Sequence, residues 1–164
     1  MRKSDFKLAA AKCIPLEAYN HEDSEFLKTY LQREVSFLMN LSCNYIMQLE
    51  DICFISSATS AVKQEHLVII GELAQENLDD FITKYKGPIP EEIIMKLFTQ
   101  ILLGMNFLHR NNIDHRDIKP MNILLFNNGE VAKLADFGLA RNIKSEFSKL
   151  TEGLGTYKYM APEA

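Results

Sequence analysis

The sequence predicts an α+β fold, because it combines short apolar strands with amphipathic helices. Three observations support this fold class. Short runs rich in isoleucine, leucine, valine and phenylalanine lie within the first 70 residues, and a 20-residue helical pattern of apolar residues begins at Glu91. Residues 123–126 and 131–135 then flank a turn at 127–129 with the sequence Asn-Asn-Gly, which predicts a β-hairpin.

The composition describes one ordinary globular protein and argues against several partner classes. The chain has 164 residues, of which 47% are hydrophobic and 24% charged, and its 18 basic and 22 acidic side chains give a formal net charge of −4. Because no basic stretch stands out, we expect neither nucleic acid nor a membrane as a partner. No apolar run is long enough to cross a bilayer, and Lys7 and Lys12 interrupt the stretch that could resemble a signal peptide.

The three cysteines indicate a reducing environment. Cys13, Cys43 and Cys53 follow neither a metal-ligand spacing nor a redox-pair spacing. Free thiols are the simplest interpretation of such an odd-numbered set. We therefore expect an intracellular protein, located in the cytoplasm or in the nucleus.

The first half of the chain predicts one helix and a pair of strands. Residues 6–14 leave the choice open, because their position favours a strand whereas their three consecutive alanines are equally compatible with a helix. Residues 22–41 place apolar side chains at helical spacing, which predicts an amphipathic helix. Residues 44–55 and 66–70 are short apolar runs bounded by polar clusters, and we expect them to be paired strands.

The second half predicts two helices before the hairpin. Residues 77–85 suggest a short helix, and the turn at 87–90 ends in Pro90, which a helix start tolerates. Residues 91–110 have acids in the first turn and a base in the last, as the helix dipole favours. The apolar residues of this helix cover more than one stripe, so we expect it to pack on several sides. Residues 141–152 are polar and flexible in character.

Three short strings fall in a fixed order in the second half of the chain. They are His-Arg-Asp-Ile-Lys-Pro-Met-Asn at residues 115–122, Asp-Phe-Gly at 136–138 and Ala-Pro-Glu at 161–163. Each string alone also fits a capped turn or the end of a strand. Together and in this order they resemble the eukaryotic protein kinase family, specifically its serine/threonine branch.

The resemblance implies a two-lobed α+β fold, of which the chain carries the middle part. Residues 1–74 resemble part of the small, β-rich lobe, up to the hinge. Residues 75–164 resemble part of the mainly helical large lobe, from its first helices through the catalytic loop and the activation segment to Ala-Pro-Glu. Because all seven glycines follow Lys12, no glycine-rich loop precedes that lysine, and we expect a fragment whose long helix exposes an apolar patch.

The resemblance also implies residues for phosphoryl transfer. Asp117 resembles the catalytic base that receives the proton of the substrate hydroxyl, and Lys119 resembles the lysine that steadies the γ-phosphate. Asn122 and Asp136 carry the hard oxygen ligands that Mg²⁺ accepts, and by resemblance they are the two metal ligands. Thr156 resembles the threonine that hydrogen-bonds near Asp117 and Lys119.

A second group of residues resembles the ATP-binding positions of the family. Lys12 resembles the lysine that contacts the α- and β-phosphates, and Glu34 resembles the glutamate that pairs with this lysine. Glu72 matches the first acid of the hinge, which puts Ala74 where backbone groups pair with adenine.

The gatekeeper, the residue that lies behind the adenine pocket in kinases, has two possible positions. The match of Glu72 to the hinge makes the gatekeeper Gly71. A glycine there would leave a space that most kinases fill with a side chain. A shift of one residue would assign Ile70 instead.

The resemblance therefore implies a protein serine/threonine kinase that uses ATP and Mg²⁺ and acts on Ser or Thr hydroxyls of a protein substrate. Arg116 resembles the arginine beside the catalytic aspartate, which commonly pairs with an anion on the activation segment in this family. Phosphorylation of Ser145, Ser148 or Thr151 would supply one. The alternative is a catalytically inactive kinase-like binding module or a truncated gene product. The resemblance implies no particular oligomeric state.

Overall fold

The computed structural model describes residues 8–15, 39–57, 64–136, 141–142 and 157–159. These residues divide into two compact units. The first unit contains the described residues up to 42 together with those from 48 to 73. The second unit contains residues 43–47 and the described residues from 74 onward.

The first unit is a three-stranded antiparallel sheet in the order β1-β3-β2, with β1 at Ala9–Pro15, β2 at Leu49–Ser57 and β3 at Gln64–Glu72. All seven residues of β1 pair with β3, so the stretch that the alanines left open is a strand. This ladder outweighs the helical propensity of alanine. The predicted helix at residues 22–41 lies outside the described residues up to position 38.

The pairing of β2 with β3 confirms the predicted strand pair, but β2 begins later than expected. The predicted strand started at residue 44, whereas residues 43–47 belong to the second unit. There the Ile46 N–H donates to the Cys43 carbonyl at 3.2 Å, and the Met47 N–H donates to the Leu134 carbonyl at 2.8 Å. Because these backbone groups are committed to a turn and to Leu134, the prediction was wrong for this part of the strand.

Leucines form the buried side of the first unit. Leu67 in the central strand is fully buried and Leu49 is 6% exposed. A register shift at Glu50 places Leu49 directly opposite Gly71, on the sheet face that also carries Leu67.

The second unit contains a three-stranded antiparallel sheet in the order β4-β6-β7. The strands are β4 at Glu76–Asn77, β6 at Ile123–Phe126 and β7 at Val131–Leu134, and the β6–β7 pair confirms the predicted hairpin. Its turn at residues 127–129 has φ values of 52°, 57° and 82°. Asparagine and glycine are the residues best suited to this left-handed region, which explains the Asn-Asn-Gly sequence.

Both predicted helices are present in the second unit. Helix α1 spans Leu78–Lys84, and its first turn is capped by the side chain of Asn77, which accepts a hydrogen bond from the Asp80 N–H at 2.8 Å. Helix α2 spans Glu91–Arg110 and begins directly after Pro90. Two 3-10 turns lie at Pro120–Asn122 and Tyr157–Tyr159.

One pair of short strands was not predicted. Strand β5 at Ile113–Asp114 pairs antiparallel with β8 at Arg141–Asn142. The segment from residue 141 was expected to be flexible, so this expectation was wrong for its first two residues. Two-residue strands are too short to show an alternating pattern, and their pairing depends on partners distant in sequence.

Helix α2 packs closely on one face. Leu97, Gly104 and Leu108 are its buried residues. A Cβ at Gly104 would lie 2.8 Å from the carbonyl oxygen of Tyr45 and 3.2 Å from Cδ1 of Leu134. The glycine therefore allows the helix backbone to approach both groups.

The adjacent face of α2 exposes apolar side chains, as the sequence predicted. Between 45% and 55% of each of the following residues is exposed: Ile94, Met95, Phe98, Leu102 and Leu103. Near the end of the helix lies a cavity of about 250 Å³ lined by Met105, Leu108, His109, Asp114, His115, Arg116 and Ile118. No helix in the described part of the chain combines the length and the apolar character needed to cross a membrane.

The close approach at Gly104 predicts that alanine is destabilising there, although alanine is the better helix former. Helix propensity favours alanine by about 1 kcal/mol, whereas overpacking costs about 1–3 kcal/mol. We expect Gly104→Ala to lower the free energy of unfolding by up to about 2 kcal/mol, measured by urea denaturation. The control is Asn106→Ala on the exposed face, which should be neutral or stabilising. A Gly104→Ala variant as stable as this control would contradict the packing argument.

Candidate active site

Helix α2 leads the chain into the segment predicted to be the catalytic loop. The helix ends at Arg110 and is capped by Asn111, whose N–H donates to the Phe107 carbonyl at 3.2 Å. Asn112 follows with a left-handed φ of 59°, which turns the chain away from the helix axis. Ile113 is then 2% exposed. This buried strand brings His115 into the interior of the second unit.

His115 links two parts of the second unit. Its side chain is buried, and Nε2 lies 2.8 Å from the carbonyl oxygen of Ala135. Because a carbonyl can only accept, Nε2 carries the hydrogen, and Nδ1 accepts the long 3.4 Å bond from the Asp117 N–H. Burial lowers the pKa of His115, although its hydrogen bonds and the carboxylates of Asp117 and Asp136 act in the opposite direction. The imidazole is therefore neutral, and it links the Ala135 carbonyl to the Asp117 N–H.

Arg116 reverses the backbone between His115 and Asp117. Its φ is 65°, in the left-handed region that costs a non-glycine residue about 1–2 kcal/mol. The side chain of Arg116 is exposed, whereas His115 is buried and Asp117 is half-buried. Such a conformation persists only where neighbouring residues hold it, and the buried imidazole does so on one side.

Asp117 is the centre of a three-residue cluster. Nζ of Lys119 lies 2.7 Å from Oδ2 of Asp117, and their side chains are only 15% and 11% exposed. Nδ2 of Asn122 donates to the same Oδ2 at 2.9 Å and to the backbone oxygen of Asp117 at 2.8 Å. Because the NH₂ group of Asn122 faces Asp117, its carboxamide oxygen points the other way.

A short 3-10 turn folds Asn122 back onto Asp117. The turn spans Pro120–Asn122, with proline at its first position, where the missing N–H is not needed. The Asn122 N–H donates to the carbonyl of Lys119 at 2.9 Å. This local geometry explains why lysine, proline and asparagine occur at this spacing after Asp117.

Ala135 connects the cluster to Asp136. The N–H of Ala135 donates to the carbonyl of Asn122 at 2.9 Å, and the carbonyl of Ala135 accepts from His115 at 2.8 Å. Both backbone groups of one residue are thus bonded to the segment 115–122. Asp136 follows directly with a left-handed φ of 60° and is half-buried. Its backbone is therefore held next to the cluster.

The cluster combines the groups that a phosphate-transfer site needs. It offers a carboxylate, an ammonium group and an amide oxygen, and Asp136 adds a second carboxylate beside them. In the described stretches, no three His, Cys, Asp or Glu side chains group as a metal site. The side chains of Asn122 and Asp136 could offer one or two oxygens to a magnesium ion, which commonly completes its shell with phosphates and water.

In the first unit, the sheet register places Lys12 and Gly71 on one face. Lys12 lies opposite Ile69, and Ala10 lies opposite Gly71. Because side chains alternate between the two faces of a sheet, these four positions share a face and Ile70 lies on the other. Gly71 and Ile70, the two candidate positions for the gatekeeper, therefore lie on opposite faces of the sheet, and Gly71 shares the face of Lys12.

Of the four remaining predicted residues, Glu72 and Ala74 belong to the described part of the chain. The Glu72 N–H donates to the Gln48 carbonyl at 3.2 Å, and Oε1 of Glu72 accepts from the Gln48 N–H at 2.7 Å, so Glu72 is held within the first unit. Ala74 is half-buried and begins the main segment of the second unit. Glu34 and Thr156 lie outside the described residues.

A family profile described as "Protein kinase domain" matches residues 1–164 of the chain. The chain belongs to the protein kinase family. This kinase chain is 35% identical over 155 residues to the serine/threonine-protein kinase STY17 of Arabidopsis thaliana and 41% identical over 135 residues to cyclin-dependent kinase 4 of Mus musculus. The alignments cover 94% and 80% of the chain, but 25% and 43% of the relatives.

A solved structure supports the kinase fold. The kinase chain is similar to a chain in the crystal structure of the yeast RNA Pol II CTD kinase CTDK-1 complex, with a TM-score of 0.63 and 31% sequence identity. The similarity covers 85% of this chain and 41% of that chain. The predicted partial kinase-like fold is confirmed. The chain spans less than half the length of these relatives.

The structural role of His115 in this kinase chain was not predicted. The motif predicted roles for Asp117, Lys119 and Asn122, and the structure brings these three side chains together. The signal for His115 was present in the string itself, since a histidine that follows a buried strand residue needs a partner when it enters the core. Its partner, Ala135, carries no side-chain chemistry that could have been recognised.

The burial of neutral His115 predicts that this kinase chain loses stability as the pH falls. Because the pKa is lowered in the folded state, the unfolded chain binds the proton first, and stability decreases from about pH 6.5 downward until the pH passes the lowered pKa. The slope from this residue is at most about 1.4 kcal/mol per pH unit. Urea unfolding at several pH values should show a shallower dependence for His115→Gln than for the wild type.

The matched control for this measurement is His109→Gln, which removes an exposed imidazole from α2. We expect it to change the pH dependence less than His115→Gln does. Identical pH dependence in the wild type and in His115→Gln would show that the buried imidazole does not contribute.

Proposed function

We propose that the chain belongs to a protein serine/threonine kinase, which transfers the γ-phosphate of Mg-ATP to Ser or Thr hydroxyls of a protein substrate. The observation that carries this proposal is the arrangement around Asp117, whose carboxylate lies within 2.9 Å of both Lys119 and Asn122 in a chain of the kinase family. The names of similar proteins, such as the human serine/threonine-protein kinase Nek11 at 37% identity, support the choice of hydroxyl class.

Asp117 is proposed to accept the proton of the substrate hydroxyl. Its carboxylate is oriented by Asn122 and by Lys119, so little reorganisation is needed when a hydroxyl approaches. Lys119 places a positive charge 2.7 Å from this base, where it can also stabilise the γ-phosphate as negative charge moves during transfer. Thr156 is proposed to hydrogen-bond near both residues.

Asn122 and Asp136 are proposed to hold Mg²⁺. The fit rests on the orientation of Asn122, whose amide nitrogen is used on Asp117, so that an oxygen faces away from this carboxylate. Asp136 supplies a carboxylate on a backbone held by the bonds of Ala135. Mg²⁺ bound to these oxygens supplies charge neutralisation for the phosphates.

A second set of residues is proposed to bind the nucleotide. Lys12, paired with Glu34, binds the α- and β-phosphates, and the backbone at Glu72 and Ala74 pairs with adenine. Gly71 is proposed as the gatekeeper, since it shares the sheet face of Lys12. A glycine at this position leaves the space behind the adenine without a side chain.

The remaining proposals concern organisation and location. We place the lobe boundary after Ala74, with residues 1–74 in the small lobe and 75–164 in the large lobe. The free thiols of Cys13, Cys43 and Cys53 support a location in the cytoplasm or the nucleus. The proposed partners are ATP and a protein substrate, and neither nucleic acid nor a membrane.

The metal assignment predicts a specific pattern of stabilisation by Mg-ATP. A ligand at a hundredfold excess over its dissociation constant stabilises the folded chain by about 2.7 kcal/mol, so we expect Mg-ATP to raise the melting temperature by several degrees. Asp136→Asn removes a charged ligand and should lose most of this increase. Asp117→Asn, which is not a proposed ligand, should keep it. Equal increases in the wild type and in Asp136→Asn would refute the metal site.

The assignment of Asp117 predicts a loss of transfer without a loss of binding. Asp117→Asn should lower kcat by about 10²- to 10⁴-fold and change KM for ATP little, because the carboxylate acts on the substrate hydroxyl. The measurement is transfer of labelled γ-phosphate from ATP to peptide mixtures that contain Ser, Thr or Tyr. Label on tyrosine alone would overturn the hydroxyl class. Nucleotide binding by the wild type without any transfer would indicate a kinase-like binding module.

A further inference from the structure

Gln75, which directly follows Ala74, is bonded to the β6–β7 hairpin at three points. Nε2 of Gln75 donates to Oδ1 of Asn128 at 2.9 Å, and Oε1 of Gln75 accepts from the Asn128 N–H at 2.7 Å. The backbone N–H of Gln75 donates to the carbonyl of Leu125 at 3.1 Å. The side chain of Gln75 thus bonds to both the backbone and the side chain of Asn128.

The turn that bonds to Gln75 is also bonded to helix α2. Lys96 forms an ion pair with Glu130 at 2.8 Å, and Nε2 of Gln100 donates to the Glu130 carbonyl at 3.0 Å. The hairpin turn is therefore bonded both to Gln75 and to α2.

The backbone bond of Gln75 has a direct consequence for Ala74. The N–H of Gln75 and the carbonyl of Ala74 belong to the same planar peptide unit. When the N–H direction is set by Leu125, the direction of the Ala74 carbonyl is set as well. The two side-chain bonds to Asn128 restrain the rotation that would otherwise let this peptide plane tilt.

We propose that Gln75 is a positioning residue for the nucleotide, which acts by fixing the backbone of Ala74 through Asn128. This inference rests on the proposed function, in which Ala74 pairs with adenine. Gln75 is held within the second unit, directly after Ala74. Removal of the Gln75 carboxamide lets the backbone of Ala74 sample orientations that do not match adenine, which weakens binding.

The test compares Gln75→Ala with Gln100→Ala in the full chain. Both variants remove two carboxamide hydrogen bonds to the same hairpin, since Oε1 of Gln100 accepts from the Ala132 N–H at 2.6 Å and its Nε2 donates to Glu130. The first measurement is the dissociation constant of Mg-ATP. We expect Gln75→Ala to weaken binding about fivefold, the effect of one net hydrogen bond, and Gln100→Ala to change it less than about twofold. Gln75→Glu, which keeps the acceptor for the Asn128 N–H, should fall between them.

The second measurement is hydrogen–deuterium exchange of the backbone amides of residues 73–77 without nucleotide. Exchange should rise in Gln75→Ala and stay at the wild-type level in Gln100→Ala. Unchanged exchange in Gln75→Ala overturns the restraint, and faster exchange with unchanged affinity overturns its role in positioning. If the wild type binds no Mg-ATP, the proposed function and the nucleotide role of Gln75 both fail. The exchange data then still decide whether the restraint on residues 73–77 exists.

Discussion

The two hydrogen bonds of the Ala135 backbone are the constraint on which the candidate site depends. One bond reaches Asn122 and the other reaches the buried ring of His115, so a residue without functional groups joins the segment 115–122 to Asp136. This link adds to the covalent connection that runs from Asn122 through the β6–β7 hairpin to Asp136. The histidine can fill this role because burial keeps it neutral and leaves one ring nitrogen as a donor.

Helix α2 packs against strand β7 of the same unit, and two neighbouring faces of this helix differ in how closely they are covered. Its buried face needs a glycine, since a Cβ at position 104 would lie 2.8 Å from the carbonyl oxygen of Tyr45 and 3.2 Å from Cδ1 of Leu134. Its neighbouring face leaves Phe98 and Leu102 about half exposed. The first feature ties the helix to the strand that leads into Ala135. The second exposes apolar surface of the kind that single globular domains ordinarily cover.

Local patterns predicted the elements that are long or carry a turn signal. Helix α2 repeats its pattern over five turns and the hairpin has an Asn-Asn-Gly turn, so both were recognised. Strands β5 and β8 have two residues each and depend on pairing between distant segments, which no local pattern records. The motif placed Asp117, Lys119 and Asn122 in one site, because their spacing allows a single tight turn. The contribution of Ala135 escaped prediction, since it comes entirely from backbone groups.

The carboxamide of Gln100 also bonds to the β7 edge of the β4-β6-β7 sheet. The outward-facing backbone groups of β7 and its flank are bonded to Gln100 at Ala132 and Glu130, and to residues 45–47 at Leu134. An exposed strand border of this kind is otherwise a template on which a foreign extended segment can add itself. Because Gln100 and residues 45–47 already bond to groups along that border, fewer of its backbone groups remain for a foreign strand to pair with.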